Sequence, residues 1–207
     1  MIIDTNTSCL GKAGVLRRKN VDAVGRYYRM ATHPEWAITR DEAKELSGAN
    51  IGLFVVFEDF GRASDLALTK AQGRKDGLSA LNQAQAIKQP EGSGIYFAVE
   101  GLPNGYKRAD LPRIRDYFSG IKEVISGKYD LGVYGDGIVC KTMLDDSICK
   151  FTWLAAASTS FEGTKEFMKG WRWSLAQMGP LDITTDGLSV DIDVANGDFG
   201  AFVVPLT

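Results

Sequence analysis

One stretch of the sequence constrains the fold more than any other: the apolar run of residues 95–99, which ends at the carboxylate of Glu100. An apolar run of this length without polar alternation indicates a strand that is buried on both faces. Asp4 and Glu58 end two further apolar runs in the same way. Parallel α/β folds place their chemistry at the C-terminal ends of their strands. The repetition therefore predicts a group of acids at one edge of a sheet.

Eight strand candidates occur along the chain, and helical patterns separate most of them. The candidates are residues 2–4, 23–28, 51–58, 95–100, 129–134, 151–156, 172–177 and 189–194. The clearest helix covers residues 110–126, where apolar side chains recur at spacings of three and four. This order predicts an α/β protein with a small (β/α)₈ TIM-like barrel in which some helices are short or missing. We expect one domain over residues 1–207, with an open doubly wound sheet as the alternative fold.

Composition excludes several classes of partner. The net charge is −2 and no basic stripe occurs, so we do not expect a nucleic-acid partner. The three cysteines, Cys9, Cys140 and Cys149, lack metal-ligand spacing and are interpreted as reduced thiols, and we expect neither a metal nor a cofactor. No apolar run approaches the roughly 20 residues of a membrane span. We expect a monomer.

The acids at the strand ends would meet at the mouth of such a barrel. The last strand contributes Asp191 or Asp193, which lie on one face of that strand. In the fourth strand, Glu100 shares a face with Tyr96 and Ala98, so its carboxylate is expected to point into the mouth. A group of carboxylates can divide the work of breaking a glycosidic bond, since one donates a proton and another remains ionised. We therefore assign Asp4, Glu58, Glu100 and Asp191 as candidate catalytic residues.

Aromatic and amide side chains near the same edge favour a sugar as the substrate. Aromatic rings stack on the apolar face of a pyranose, and amides and carboxylates form hydrogen bonds with its hydroxyls. The candidate substrate-binding residues are Tyr28, Tyr134, Trp153, Gln177 and Asp193. The one histidine, His33, is interpreted as a loop residue.

Other chemistries have less support in the sequence. No Gly-x-Ser-x-Gly elbow, P-loop or dinucleotide-binding fingerprint is present. A carboxylate cluster could instead hold Mg²⁺ or Ca²⁺ for phosphodiester chemistry, and a metal-dependent phosphodiesterase stays open as an alternative on the same fold.

Several segments together resemble a known family. They are residues 3–6, 24–28, 95–100, 132–135 and 190–193. In order and spacing they are similar to the glycoside-hydrolase-like domain called DUF1906, the Rv2525c-like family, which is related in architecture to the family 25 lysozymes. The resemblance extends from Ile2 to about Val194.

The resemblance implies a TIM-like barrel and a wall polysaccharide, usually peptidoglycan, as the substrate. It implies that Glu100 lies at the catalytic centre with Asp4 and Asp191 beside it. Family 25 lysozymes carry Asp-x-Glu at the end of the fourth strand, whereas this chain has Ala98 at the first of those positions. Glu58 on the neighbouring strand is the candidate to replace the missing carboxylate.

The expected function is a lysozyme-like glycosidase that degrades cell walls, as a phage endolysin or a secreted antibacterial effector would. The alternative within this fold is a catalytically inactive barrel that binds glycan. The first residues lack the basic region and apolar block of a signal peptide. We therefore expect a protein made in the cytoplasm that reaches the wall through a holin or a secretion system.

Overall fold

A computed structural model of the chain describes residues 1–28, 34–58, 68–100, 102–185 and 187–207. Strands and helices largely alternate along these residues. The strands are β1 (Ile2–Asp4), β2 (Ala23–Tyr28), β3 (Gly52–Phe57), β4 (Gly94–Val99), β5 (Asp130–Gly135), β6 (Phe151–Leu154), β7 (Leu175–Thr185) and β8 (Leu188–Ala195). The helices are α1 (Ala13–Arg18), α2 (Arg40–Gly48), α3 (Lys70–Ala86), α4 (Leu111–Ile125), α5 (Gly137–Asp145) and α6 (Thr164–Lys169).

The eight strands close into one barrel in sequence order. Strands β1 to β7 pair in parallel, and helices cover most of their outer face. The predicted TIM-like barrel with missing helices is confirmed. Strand β8 differs from a regular (β/α)₈ barrel because it runs antiparallel to both β7 and β1. The sequence placed the acids of the last strand at a C-terminal tip with the others, and the reversed direction of β8 shows that this placement was wrong.

Side chains of the strands alternate between two separate apolar clusters, as the pleat of a strand requires. One set faces the helices and forms the larger core, which includes Val55, Phe97 and Val133. The other set fills the barrel interior, with Phe54 and Trp153 among its largest members. In β4, Tyr96 and Ala98 belong to the interior set, as the alternation predicted.

Glycines in the strands make room for the interior rings. A Cβ on Gly25 would come within 2.5 Å of the Phe54 ring, and a Cβ on Gly132 within 2.6 Å of the Tyr96 ring. Small residues therefore face large ones across the narrow barrel, so the interior below the mouth is packed with side chains.

The C-terminal tail closes the end of the barrel opposite the mouth. Phe202 is buried and exchanges backbone hydrogen bonds with Leu53. The hydroxyl of Tyr96 donates to the backbone oxygen of Phe199 at 2.9 Å. The apolar tail therefore packs against the domain.

The largest differences from the predicted boundaries lie in one strand. Strand β7 begins at Leu175 rather than at residue 172, and it runs on to Thr185 in an irregular antiparallel hairpin with β8. Among the described residues, no helix is both long enough and apolar enough to span a membrane.

Candidate active site

The mouth of the barrel brings acids from β1 and β8 together. In the antiparallel register, the Cα atom of Asp4 pairs with that of Asp191, and the Cα atom of Ile2 pairs with that of Asp193. Because β8 is reversed, Asp191 lies level with Asp4 and Asp193 lies one interior layer deeper. The sequence placed both acids on one face of β8, and the reversal decides which of them is closer to the mouth.

Gln177 on β7 connects these acids. Its Nε2 donates to Oδ2 of Asp4 at 2.8 Å and lies 3.2 Å from Oδ2 of Asp191. Its Oε1 accepts the hydroxyl of Tyr134 at 2.8 Å. The amide therefore fixes two carboxyl groups and one phenol in a single network across β1, β5, β7 and β8.

Tyr27 is a member of this network that the sequence interpretation missed. Its hydroxyl donates to Oδ1 of Asp4 at 3.0 Å. The predicted residue was its neighbour Tyr28, whose side chain is fully buried on the outer face of β2 and donates to Oε1 of Gln89 at 2.6 Å. The small residues Ala23 and Gly25 share a strand face with Tyr27, and they could have shown which face of β2 turns inward.

The environment of Asp4 changes its acidity. Only 2% of the side chain is exposed, and burial raises the pKa of Asp4 from 3.8 to about 6. The hydrogen bonds from Gln177 and Tyr27 oppose this rise because they favour the ionised form, whereas the nearby charge of Asp191 adds to it. Asp4 therefore titrates close to neutral pH.

Asp191 and Asp193 have different surroundings. Asp191 is partly exposed, and burial raises its pKa above the ordinary value. Asp193 is buried, and its Oδ1 accepts the indole N–H of Trp153 at 2.7 Å. Burial, together with the charge of Asp4, raises the pKa of Asp193 well above its ordinary value.

Glu58 and Glu100 directly follow β3 and β4, so they stand at the rim of the same mouth. Glu58 is buried, whereas Glu100 is exposed to solvent. Burial is the main cause of the raised pKa values of the Tyr27 and Tyr134 phenols, and the charges of Asp4, Glu58 and Glu100 raise both further. These three carboxylates therefore surround the same pair of tyrosines.

The predicted aromatic platforms are not available for stacking on a sugar. Trp153 and Tyr134 contribute their polar atoms to the network, but both rings are buried in the interior cluster. A substrate at this mouth would meet hydroxyl, amide and carboxyl groups. His33 lies outside the described residues.

Ala98 also belongs to the interior set, two residues before Glu100 on β4. Its side chain supplies no carboxylate where the lysozyme pattern has one. Within the described part of the chain, no group of three or more His, Cys, Asp or Glu side chains has the arrangement of a metal site.

A buried ion pair supports the loop that follows Asp4. Nε of Arg26 lies 2.6 Å from Oε1 of Glu42, and its Nη1 donates to the backbone oxygen of Thr5 at 2.5 Å. Glu42 also accepts the backbone N–H of Cys9 at 2.8 Å. The hydroxyl of Thr5 donates to the backbone oxygen of Ser189 at 2.7 Å, which ties the end of β1 to β8.

A TIM-like barrel with carboxyl groups around its mouth is the architecture of many glycoside hydrolases. The comparisons with known proteins agree with this class. Residues 15–182 match the model of the Rv2525c-like, glycoside hydrolase-like domain, and the chain belongs to this family. The family resemblance inferred from the sequence is confirmed.

Three known proteins resemble this chain in sequence or in fold. The chain is 29% identical over 206 residues to YbfG of Bacillus subtilis, covering 92% of this chain and 28% of YbfG, so it spans less than a third of that protein. Its fold resembles that of the Tat-secreted protein Rv2525c of Mycobacterium tuberculosis, crystallised with L-tartrate, with a TM-score of 0.80, 18% identity and 97% of each chain covered. It also resembles the modular autolysin LytC of Streptococcus pneumoniae, solved with a synthetic peptidoglycan ligand, with a TM-score of 0.60, 16% identity, and 93% of this chain and 45% of LytC covered.

Proposed function

We propose that this domain is a glycosidase that hydrolyses the glycan strand of peptidoglycan. The observation that carries the proposal is the pairing of an exposed carboxylate with a buried one at the same mouth. Glu100 is open to solvent and to substrate, and the pKa of buried Asp4 is raised to about 6. Glycosidases use two carboxyl groups in different environments, so that one donates a proton and the other stays ionised.

Glu100 is the general acid in this proposal. A glycan bound across the mouth covers its carboxyl group and brings the glycosidic oxygen to it. Glu100 gives its proton to the glycosidic oxygen as the bond to the anomeric carbon breaks. A water molecule then adds to that carbon and releases a proton, so the sum of the steps is hydrolysis.

Asp4 supplies negative charge beneath the sugar. Above about pH 6 its carboxylate is ionised, and it stabilises the positive charge that develops on the ring in the transition state. Glu58, buried at the end of β3, is the alternative second carboxylate. Asp191 is partly exposed and bonded to Gln177, so it is suited to orient a sugar hydroxyl.

The choice of peptidoglycan rests on the relatives rather than on the pocket. The fold is shared with the autolysin LytC, whose structure holds a peptidoglycan ligand. The chain spans less than a third of YbfG, so we propose this activity for the domain rather than for a whole protein of that length. A phage endolysin or a delivered antibacterial effector would bring such an activity to the wall.

Release of soluble fragments from purified peptidoglycan tests this function. We expect the wild type to release muropeptides, and Glu100→Gln to lower the rate by about 10²–10⁴-fold, the usual contribution of a general acid. Glu91→Gln, at an exposed acid in the turn before β4, is the matched control and should keep the wild-type rate. Equal rates for the wild type and Glu100→Gln would remove Glu100 from the mechanism.

A second candidate function is glycan binding without catalysis, and Ala98 is the observation that favours it. The side chain at this interior position lacks the carboxylate of the lysozyme pattern. We expect Ala98→Asp to increase product formation if this carboxylate limits the rate. Glycan binding by the wild type with no product, from a sample shown to be folded, would support the binding function. Ala98→Ser, which adds a polar atom but no charge, is the control.

A further inference from the structure

Asp193 occupies an unusual position for a carboxyl group. It lies beneath Asp4 in the barrel interior, opposite Ile2 in the β1–β8 register, and its side chain is buried. The indole N–H of Trp153 holds its Oδ1 at 2.7 Å. The ring of Trp153 is itself packed between Phe54 and Tyr134, so this hydrogen bond has a fixed direction. A sugar in the mouth cannot reach Asp193, which does not suit the substrate-binding role expected from the sequence.

The two oxygens of Asp193 differ in their surroundings. Its Oδ2 is buried, and no N–H or O–H group within the described residues donates to it. An ionised carboxylate in an apolar interior needs donors at both oxygens, because an unsatisfied charged oxygen costs several kcal/mol. A carboxyl group that carries a proton on this oxygen needs only an acceptor.

In the part of the chain that the structure describes, the charged and titratable groups that face Asp193 include an acceptor but no cation. Within the described residues they are Asp4 on β1, Asp191 on β8 itself and the phenol of Tyr96 on β4. The Tyr96 hydroxyl already donates to the backbone oxygen of Phe199. Asp4, one interior layer above Asp193, is the group whose charge acts most strongly on Asp193, and a direct hydrogen bond between the two carboxyl groups is the contact that would satisfy Oδ2. Two carboxyl groups form such a bond only when one of them holds a proton.

We propose that Asp193 is a positioning residue that keeps its proton at neutral pH and donates it to Asp4. The pair then carries a single negative charge, and this charge is located on Asp4, next to Tyr27 and Gln177 at the mouth. The bond also fixes Asp4 from below, while Tyr27 and Gln177 fix it from the sides.

The acidities of the two groups agree with this arrangement. Burial raises the pKa of Asp193 most strongly, and its bond to Asp4 raises it further. The same bond lowers the pKa of Asp4, against the rise that burial causes. Without a neutral Asp193 beneath it, Asp4 would stay protonated to a higher pH and could not supply charge near neutrality. The role in catalysis rests on the proposed function, whereas the location of the proton does not.

Infrared spectroscopy of the wild type tests the location of the proton directly. At about pH 8, roughly two units above the pKa of Asp4, we expect a carbonyl band from one protonated carboxyl group. The band should disappear in Asp193→Asn and remain in Asp116→Asn, which changes an exposed acid on α4. A wild-type spectrum without this band would overturn the proposal, whether or not any variant folds and whether or not the protein cleaves glycan.

Titration of the Asp4 carboxyl carbon by NMR provides the second test. Asparagine at position 193 keeps a neutral group with one donor and one acceptor, so we expect Asp193→Asn to shift the Asp4 midpoint by less than about half a unit. Asp193→Ala removes the donor, and the Asp4 midpoint should rise. If Asp193 is instead ionised in the wild type, Asp193→Asn removes a repelling charge, and the Asp4 midpoint should fall by about one unit or more. That result would contradict the proposal.

Discussion

Two buried groups of charged side chains lie on opposite faces of β2, and they differ in one respect. Arg26 points outward and pairs with Glu42, and both side chains are fully buried. Its neighbour Tyr27 points inward and bonds to Asp4. The outer group contains a cation for its carboxylate, whereas the described residues around Asp4 supply only hydroxyl, amide and carboxyl groups.

The difference separates structural acids from acids that can take part in chemistry. Glu42 has Arg26 and a backbone N–H as partners, so its charge is neutralised and its position serves the loop after β1. Among the described residues Asp4 has no such neutralising partner, and burial raises its pKa to about 6. Burial of an acid alone does not identify a site, but burial without a cation does favour one.

The largest expected effect is on stability, and it comes from removing Arg26, the cation that pairs with Glu42 on the outer face of β2. Arg26→Met leaves the Glu42 charge buried and unpaired, which should lower the free energy of unfolding by about 3–5 kcal/mol. Urea denaturation monitored by circular dichroism measures this change. The double variant Arg26→Met/Glu42→Leu should recover part of the loss. In contrast, Asp4→Asn should leave stability at pH 8 unchanged or higher, and a loss comparable to that of Arg26→Met would break the comparison.

A smaller effect is expected in the pH dependence of stability. The folded-state pKa of Asp4 is raised, so the native state binds more protons than the unfolded state between about pH 4 and pH 6. The free energy of unfolding should therefore fall as pH rises through this window, with Asp4 contributing roughly 3 kcal/mol and its contribution levelling off above about pH 6.

Denaturation curves of the wild type and Asp4→Asn over this pH range isolate that contribution. The slope that remains in Asp4→Asn belongs to other groups, including Asp193, whose raised pKa acts in the same direction up to higher pH. Identical slopes for the two proteins would show that Asp4 is not perturbed.

The smallest effect concerns the helix that carries Glu42. The Thr39 hydroxyl accepts the backbone N–H of Glu42 at 3.2 Å and caps the start of α2. Thr39→Ala should cost about 1 kcal/mol of stability, because the cap is lost but the ion pair remains. The titration of Asp4 should not change, and Thr39→Ser, which keeps the cap, should restore stability. A shift of the Asp4 midpoint in Thr39→Ala would mean that the two groups are coupled through β2.

Much of the barrel could be predicted because its signals are local. Each strand appears in the sequence as a short apolar run, and period-two alternation correctly placed Tyr96 and Ala98 in the interior. The direction of β8 could not be obtained in this way, since the alternation of Val190, Asp191, Ile192 and Asp193 is the same in either direction. Direction depends on the hairpin with β7, whose pairing contains irregularities.

The candidate site was predicted less completely because it depends on long-range contacts. Asp4 and Gln177 were candidates because of their place at strand ends, but the hydrogen bond that joins them spans 173 positions of sequence. The choice of Tyr28 over Tyr27 did not use the strand face, on which Tyr27 lies with the small residues Ala23 and Gly25. Trp153 was expected to bind a sugar, whereas its indole holds Asp193.

Digestion of purified peptidoglycan in water enriched in heavy oxygen tests the central claim most directly. Mass spectrometry of the soluble fragments shows whether one heavy oxygen has entered the new reducing end. The account predicts labelled muropeptides from the wild type and their release about 10²–10⁴-fold more slowly from Glu100→Gln. Labelled muropeptides made equally by both proteins, or no product from a folded wild type that still binds the glycan, would contradict it.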